Sequence, residues 1–464
     1  LKRDQAPSIR DFSNHSFVKF VRRYPIFLLA LGPPLFRTHA IDATGGVIDL
    51  WSVFQVAWLS LIAGRAIIRL TSVQSIAIPR QVQSILRLAF FIGVLFLISA
   101  AYSPSRLVSA AYSIIYFLTL ICVVEFVVDV YRTPPPWISC LIHLRFCMVL
   151  LVILVLLTLP FNPSIVLTVL GKSGIRLSGG PVGPIALISP VIAIVSAYTF
   201  LHSLESRVRA AFLFSVGLAG TLATQARGAE IALFIALSLI AFDWAKTSRR
   251  AGLIVICGFV ASIIFGGAIV GVIGGGQIWN IFNRGQSIEG IVSASGRTEI
   301  WKFVIQYCMS HPLGMGYVAG FRMLFKTHFT LGSGLSVDSI GNTHNAFIQF
   351  LADAGWAAMA LYLVMLAKVL ALGLRFRARL TSAIGDSEGI LRHALNCAIV
   401  LLIFCLVEGM DASDCAVPLR VPFYFQNLVI AIILGASANA LFAFRVRHFQ
   451  SVQRSLVKQP DPLV

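Results

Sequence analysis

The chain has 464 residues, of which 58% are hydrophobic and 12% charged, with a mean hydropathy of +0.86. A water-soluble fold carries about twice that share of charge. A single soluble domain is excluded, and so is a β-barrel, whose strands alternate in polarity where these apolar runs do not. The net charge of +18 would suggest nucleic acid in a soluble protein. In a chain with many apolar runs it follows instead from Lys and Arg held in inside loops, and no nucleic-acid partner is expected.

Windows of about 20 residues place spans at 24–36, 47–63, 86–101, 107–130, 146–160, 185–204, 208–223, 229–244, 253–273, 346–370, 394–409 and 423–444. The first follows the basic residues Lys19, Arg22 and Arg23 and is broken by Gly32, Pro33 and Pro34. It has no small-residue cleavage site after it and reads as a short span rather than a signal peptide. The fold class is therefore an all-α polytopic membrane protein of about 12 transmembrane helices.

An even number of spans puts both termini on one side. The short basic clusters Lys246, Arg249 and Arg250, then Arg375, Arg377 and Arg379, then Arg445 and Arg447 assign that side to the cytoplasm. Cations left on the outer side, among them Arg106, Arg227, Arg284, Arg297, Lys302 and Arg322, run against this bias and call for another explanation.

Two outer loops exceed a tight turn, 161–184 and 274–343. The second, at about 70 residues, is far longer than ordinary connections and is where function is expected. It opens on Gly274, Gly275 and Gly276. It then carries a helical stretch at 298–310 whose Ile300, Trp301, Val304, Ile305 and Cys308 recur at helix spacing. That pattern predicts an amphipathic helix at the membrane surface with Trp301 at headgroup level. His311-Pro312 stops it, and Gly314 and Gly316 supply a turn.

The eight cysteines fall mostly inside apolar runs, with no CxxC pair and no Cys/His cluster. No metal and no cofactor is expected. Cys308 and Cys415 both fall on the outer side, where a disulfide is an option.

Three outer segments hold groups that could carry chemistry. In the first, Gln225-Ala226-Arg227-Gly228-Ala229-Glu230, a span returning inward begins with an arginine. A planar, permanently charged guanidinium suits phosphate oxygens, while a snorkelling arginine paired with Glu230 is the structural alternative. In the second, Ser295-Gly296-Arg297-Thr298-Glu299-Ile300-Trp301, Arg297 stands at a helix N-terminus, where the dipole does not favour it. A negative ligand or a carboxylate such as Glu299 would compensate. In the third, His344 precedes the first turn of a span, and Asn345, Gln349 and Asp353 repeat every four residues along one polar face. A polar stripe inside a span faces protein or water rather than lipid. His344 is either part of a helix cap or a proton acceptor at a pocket rim.

The order of these segments is Arg-Gly-Ala at the head of a span, then Gly-Arg-x-x-x-Trp and His-Pro-Leu-Gly-Met-Gly in a long outer loop, then His-Asn-x-x-x-Gln-x-x-x-x-x-Gly opening the next span. This combination resembles the bacterial O-antigen ligase and O-antigen polymerase family of surface-polysaccharide enzymes. The resemblance covers residues from about 222 to 370 and divides the chain into N-terminal helices (1–221), a ligase-like core (222–370) with its loop at 274–343, and C-terminal helices with a basic tail (371–464). One departure is Ala226, where a hydroxyl residue is usual before the arginine.

The resemblance implies a lipid-phosphosugar-dependent membrane glycosyltransferase that works in the bacterial inner membrane at the periplasmic face. Its donor would be a glycan on undecaprenyl diphosphate, its acceptor another glycan or lipid A core, and no metal would be required. Arg227 and Arg297 would hold the diphosphate. His344 would position or deprotonate the acceptor hydroxyl, with Glu230 or Asp338 as other candidate bases. Asn345, Trp301 and Gln349 would line the substrate site. A chain-length regulator or a flippase is a candidate partner. A transporter or lipid-linked-oligosaccharide flippase is the competing class, since about twelve spans is a common transporter count. No internal repeat is detectable, which favours the enzyme.

Overall fold

The structure is a computed structural model that describes residues 17–31, 50–72, 78–161, 163–169, 175–177, 185–257, 297–328, 343–380, 387–412 and 421–457. The expected features at Gly274–Gly276, Arg284, Asp338 and Cys415 lie outside the described residues.

The elements in chain order are α1 (Phe17–Arg23), a 3-10 helix (Pro25–Ala30), α2 (Leu50–Thr71), α3 (Arg80–Ala100), α4 (Arg106–Arg132) and α5 (Trp137–Thr158). A helical turn and the paired strands β1 (Leu167–Val169) and β2 (Ile175–Leu177) follow. Then come α6 (Ile185–Leu201), α7 (Arg207–Thr224), α8 (Arg227–Ala245), α9 (249–257), α10 (Arg297–Ser310), α11 (Ala319–His328), α12 (Ala346–Arg379), α13 (Ser387–Glu408) and α14 (Val421–Val457). The fold is thus an all-α polytopic membrane protein apart from one antiparallel pair of three-residue strands.

Among the described residues, eight helices are long and apolar enough to cross a bilayer: α2, α3, α4, α5, α8, α12, α13 and α14. The 17-residue α6 is shorter, and α7 lies along it. The buried core runs through α3, α4, α5, α6, α13 and α14, and α14 is enclosed by α4 and α13. Large apolar side chains on the outward faces of α2, α3, α7 and α8 are exposed, as lipid-facing positions must be.

The first expected span is corrected. Its described part, up to Leu31, is a six-residue 3-10 helix started by Pro25. At about 2 Å rise per residue that reaches far less than a hydrocarbon core of about 30 Å. The turn packs instead on Phe126 of α4 and lies against α14.

The expected continuous span at 346–370 is broken. α12 has non-helical backbone at Ala354 (φ −144°, ψ 19°) and Gly355 (φ 75°, ψ −170°), which divides it into a short piece at 346–353 and a long piece at 356–379. Broken backbone among apolar helices is tolerated only where other protein groups take its hydrogen bonds. Here the His-Pro-Leu-Gly-Met-Gly segment supplies them. Met315 N–H donates to the Ala352 carbonyl at 2.7 Å, Gly316 N–H to that of Asp353 at 3.2 Å, and Trp356 N–H to the Pro312 carbonyl at 3.2 Å. Gly355 has no alternative there, since a Cβ would stand 1.7 Å from the Pro312 oxygen and its φ is left-handed.

Candidate functional site

The helix expected at 298–310 is observed as α10, and most of its apolar stripe packs on protein. Ile300, Val304 and Cys308 are buried against Leu351 and Ala352 of α12 and against Met315 and Phe321. Protein covers these three residues, while Ile305, also part of the expected stripe, is 39% exposed. The Trp301 indole N–H donates to the Thr343 carbonyl at 2.9 Å, so the ring serves an internal contact. Cys308 is a free, buried thiol whose Sγ donates to the Leu351 carbonyl at 3.4 Å. Burial pushes it up to about 12. The optional disulfide is not supported at this end.

After Cys308 the helix closes on itself. His311 N–H and Nδ1 both contact the Tyr307 carbonyl, and its ring stacks on Tyr307 at 4.1 Å, which is the turn role expected of it. The chain then dives inward. Tyr317 is fully buried, stacks on Phe96 of α3 at 3.7 Å and donates its N–H to Ser99 at 3.2 Å. The segment 312–317 is therefore wedged between α3 and the break in α12.

The polar stripe at the start of α12 faces protein, as expected. Asn345 caps the helix, its Oδ1 accepting from the N–H groups of Phe347 (2.9 Å) and Ile348 (3.0 Å), which satisfies two donors that the first turn leaves open. Gln349 and Asp353 are 2% and 1% exposed. Gln349 Oε1 accepts from Thr343 N–H at 3.1 Å, its Nε2 donates to Asp353 Oδ1 at 2.9 Å, and that oxygen also accepts from Val318 N–H at 2.9 Å. Gln349, expected to line the substrate site, is placed as a strut that ties the residue before His344 to the inserted loop. His344 itself is half-buried and takes left-handed backbone at φ 53°.

Arg227 is the first residue of α8 and is half-buried, with Glu230 in the same turn. The preceding turn is tight: Gln225 is left-handed at φ 51°, and Thr224 Oγ1 accepts from Ala226 N–H at 3.3 Å. The hydroxyl missing at Ala226 is thus present two residues earlier, bonded to backbone.

Arg297, the first residue of α10, does not rely on Glu299. It pairs with Asp411, donating from one guanidinium nitrogen both to the carboxylate and to the Asp411 carbonyl, the latter at 3.1 Å. Asp411 lies just past α13 and also packs on Gly228, where a Cβ would come 2.4 Å from its Oδ2. The residue after Arg227 has to be bare for this approach. The same turn reaches the third segment, because Asn345 Nδ2 donates to the Met410 carbonyl at 3.0 Å and Ala346 N–H to the Gly409 carbonyl at 2.7 Å.

Residues 409–411 therefore join all three sequence segments. Sequence reasoning missed this hub. The available signal was an acid just past the end of an apolar run, on the side to which the charge bias assigns the unexplained cations. Two arginines at two helix N-termini, where backbone dipoles add positive potential, make a place suited to an anion. A histidine stands on the neighbouring corner. The arrangement can hold phosphate oxygens and act on a hydroxyl beside them.

No curated protein matches the chain. Residues 210–363 match the family model described as O-antigen ligase, which supports a role in surface-polysaccharide assembly.

Proposed function

We propose that the chain transfers or polymerises a glycan carried on undecaprenyl diphosphate, at the periplasmic face of the bacterial inner membrane, as an O-antigen or exopolysaccharide ligase or polymerase. The observation that carries this reading is the meeting of the Arg227–Gly228 turn, Arg297 and the His344–Asn345 corner on one short turn, 409–411.

As the bond from the anomeric carbon to the donor oxygen breaks, negative charge develops on the diphosphate. Arg227 and Arg297 stabilise that charge more in the transition state than in the ground state, which is the condition for catalysis. His344 takes the proton of the attacking acceptor hydroxyl. Glu230, also in the first turn of α8, is the second candidate base. One displacement inverts the sugar, and the two guanidiniums do the work a divalent ion does in many sugar-nucleotide transferases. Trp301, Asn345 and Gln349 act by holding the corner.

The test is transfer by the purified full chain in lipid, in EDTA, from undecaprenyl-diphosphate glycan extracted from the host. It is run with a lipid A core acceptor and, separately, with donor alone. Core-linked product indicates a ligase, and a ladder from donor alone a polymerase. Broken helices such as α12 also occur in transporters. If the wild type only moves intact lipid-linked glycan across the bilayer, the enzyme reading fails and a flippase replaces it.

A further inference from the structure

Arg297 and Trp301 are four residues apart on α10 and share one face of it. Arg297 reaches Asp411, Met410 next to it accepts from Asn345, and Thr343, two residues before Asn345, accepts from Trp301. These contacts close a ring: α10, the 409–411 turn, the 343–345 corner, and α10 again. Arg297 and His344 both stand on it. From this ring we infer that Trp301 is a positioning residue, whose indole N–H sets His344 relative to Arg297 and so the acceptor's base relative to the leaving diphosphate. The inference rests on the roles proposed above for those two residues.

The corner needs outside support. Left-handed backbone is unfavourable for a residue with a side chain, so His344 keeps φ 53° only while its neighbours are held. Thr343 is fully buried and tied at three points: its N–H to Gln349 at 3.1 Å, its Oγ1 to the Asn345 carbonyl at 2.8 Å, and its carbonyl to Trp301 at 2.9 Å. The first two ties stay within the start of α12. The Trp301 bond joins the corner to the helix that carries Arg297, so it controls the separation of the two groups. Small misplacements of this kind are costly, because a displacement of about 1 Å can reduce a rate about 100-fold.

Trp301→Phe keeps the aromatic ring and removes the donor. Expected is a fall in kcat of about ten- to a hundredfold with the KM for undecaprenyl-diphosphate glycan unchanged, the pH profile of kcat unchanged in shape, and the thermal midpoint close to wild type. Thr343→Val removes the hydroxyl tie while keeping the carbonyl, and is expected to lower kcat in the same direction by less. If Trp301→Phe does not fold, replacing Trp301 by its benzothiophene analogue, which exchanges only the indole N–H for sulfur, decides the matter, and wild-type kcat in that folded protein overturns the inference. A folded Trp301→Phe protein with wild-type kcat overturns the inference, and so does a raised donor KM with kcat intact, which would make Trp301 a substrate contact. His344→Ala, run in parallel, separates the two levels. If it stays active, the proposed role of His344 itself is wrong. If it is inactive while Trp301→Phe turns over normally, only the positioning role is lost.

Discussion

Arg145 and Glu205 form an ion pair whose side chains are 3% and 7% exposed, whereas those of Arg297 and Asp411 are 26% and 47% exposed. The first pair is completed by protein. Both terminal nitrogens of Arg145 reach the Glu205 carboxylate, and Ser196 and Thr199 lie at 3.2 and 3.4 Å from the guanidinium. The second joins one nitrogen to Asp411 and leaves a substantial part of both side chains open to solvent. The two sit at opposite ends of the bundle. Asp411 packs on Gly228 at the start of α8, while Asp243 near its other end faces His202 at 3.8 Å, close in sequence to Glu205. Fifteen helical residues between those points span about 22 Å. An arginine saturated by neighbours holds helices together, and one offered at a helix start with an exposed carboxylate partner can exchange that partner for a ligand anion.

The comparison breaks most visibly at the Arg145–Glu205 pair. Glu205→Gln leaves Arg145 buried without its counter-charge, a change that destabilises by about 3–5 kcal/mol. A large drop in thermal midpoint is expected, with turnover per folded molecule unchanged. At the Arg297–Asp411 pair the effects trade places. Arg297→Ala is expected to lower kcat about 10²–10³-fold, about 2.7–4 kcal/mol of barrier by analogy with a lost oxyanion donor. Its thermal midpoint should hardly move, because exposed pairs contribute about 0–1 kcal/mol.

Gly355→Ala acts on the region that joins the site to the bundle. It forces left-handed backbone onto alanine and drives a Cβ into the Pro312 carbonyl, at a cost of at least about 1–3 kcal/mol. Stability and turnover should fall together, and a stable variant with normal turnover would contradict the wedge of the segment 312–317 against α12.

The smallest effect is in pH. Burial alone would raise Glu205, but the hydrogen bonds and charge of Arg145, aided by Thr199, outweigh it and hold the carboxyl below the usual range. A depressed carboxyl stabilises the fold above its unfolded-state value and loses that contribution as pH falls through the folded-state one. The gap in thermal midpoint between wild type and Glu205→Gln should therefore be full near neutrality and narrow in acid. A gap that widens in acid would reverse the assignment.

Much of this molecule was legible in its residues. Long apolar runs gave most of the spans, and the fourfold spacing of Ile300, Val304 and Cys308 gave α10 to within one residue of its start. The stripe of Asn345, Gln349 and Asp353 reads as facing protein or water rather than lipid, and Gln349 and Asp353 are buried in protein. What failed depended on tertiary context. Periodicity cannot say whether protein or lipid covers an amphipathic face, and in α10 protein covers Ile300, Val304 and Cys308. The break at Gly355 is local in sequence, but it is stable only because a segment some forty residues earlier supplies its hydrogen bonds. Asp411 carries no motif, and its importance comes from three distant segments folding onto one turn. The first run reads as a short span broken by Gly32, Pro33 and Pro34, and the proline that starts its 3-10 turn, Pro25, is a signal that reading did not use.

The most direct measurement is the rate of glycan transfer from undecaprenyl-diphosphate donor, in EDTA and per folded molecule, for wild type, Arg297→Ala and Glu205→Gln side by side. The account predicts that Arg297→Ala loses at least about 100-fold while folding normally, and that Glu205→Gln keeps its turnover while losing stability. Full transfer by folded Arg297→Ala, or an equal loss of turnover in both variants, would contradict it.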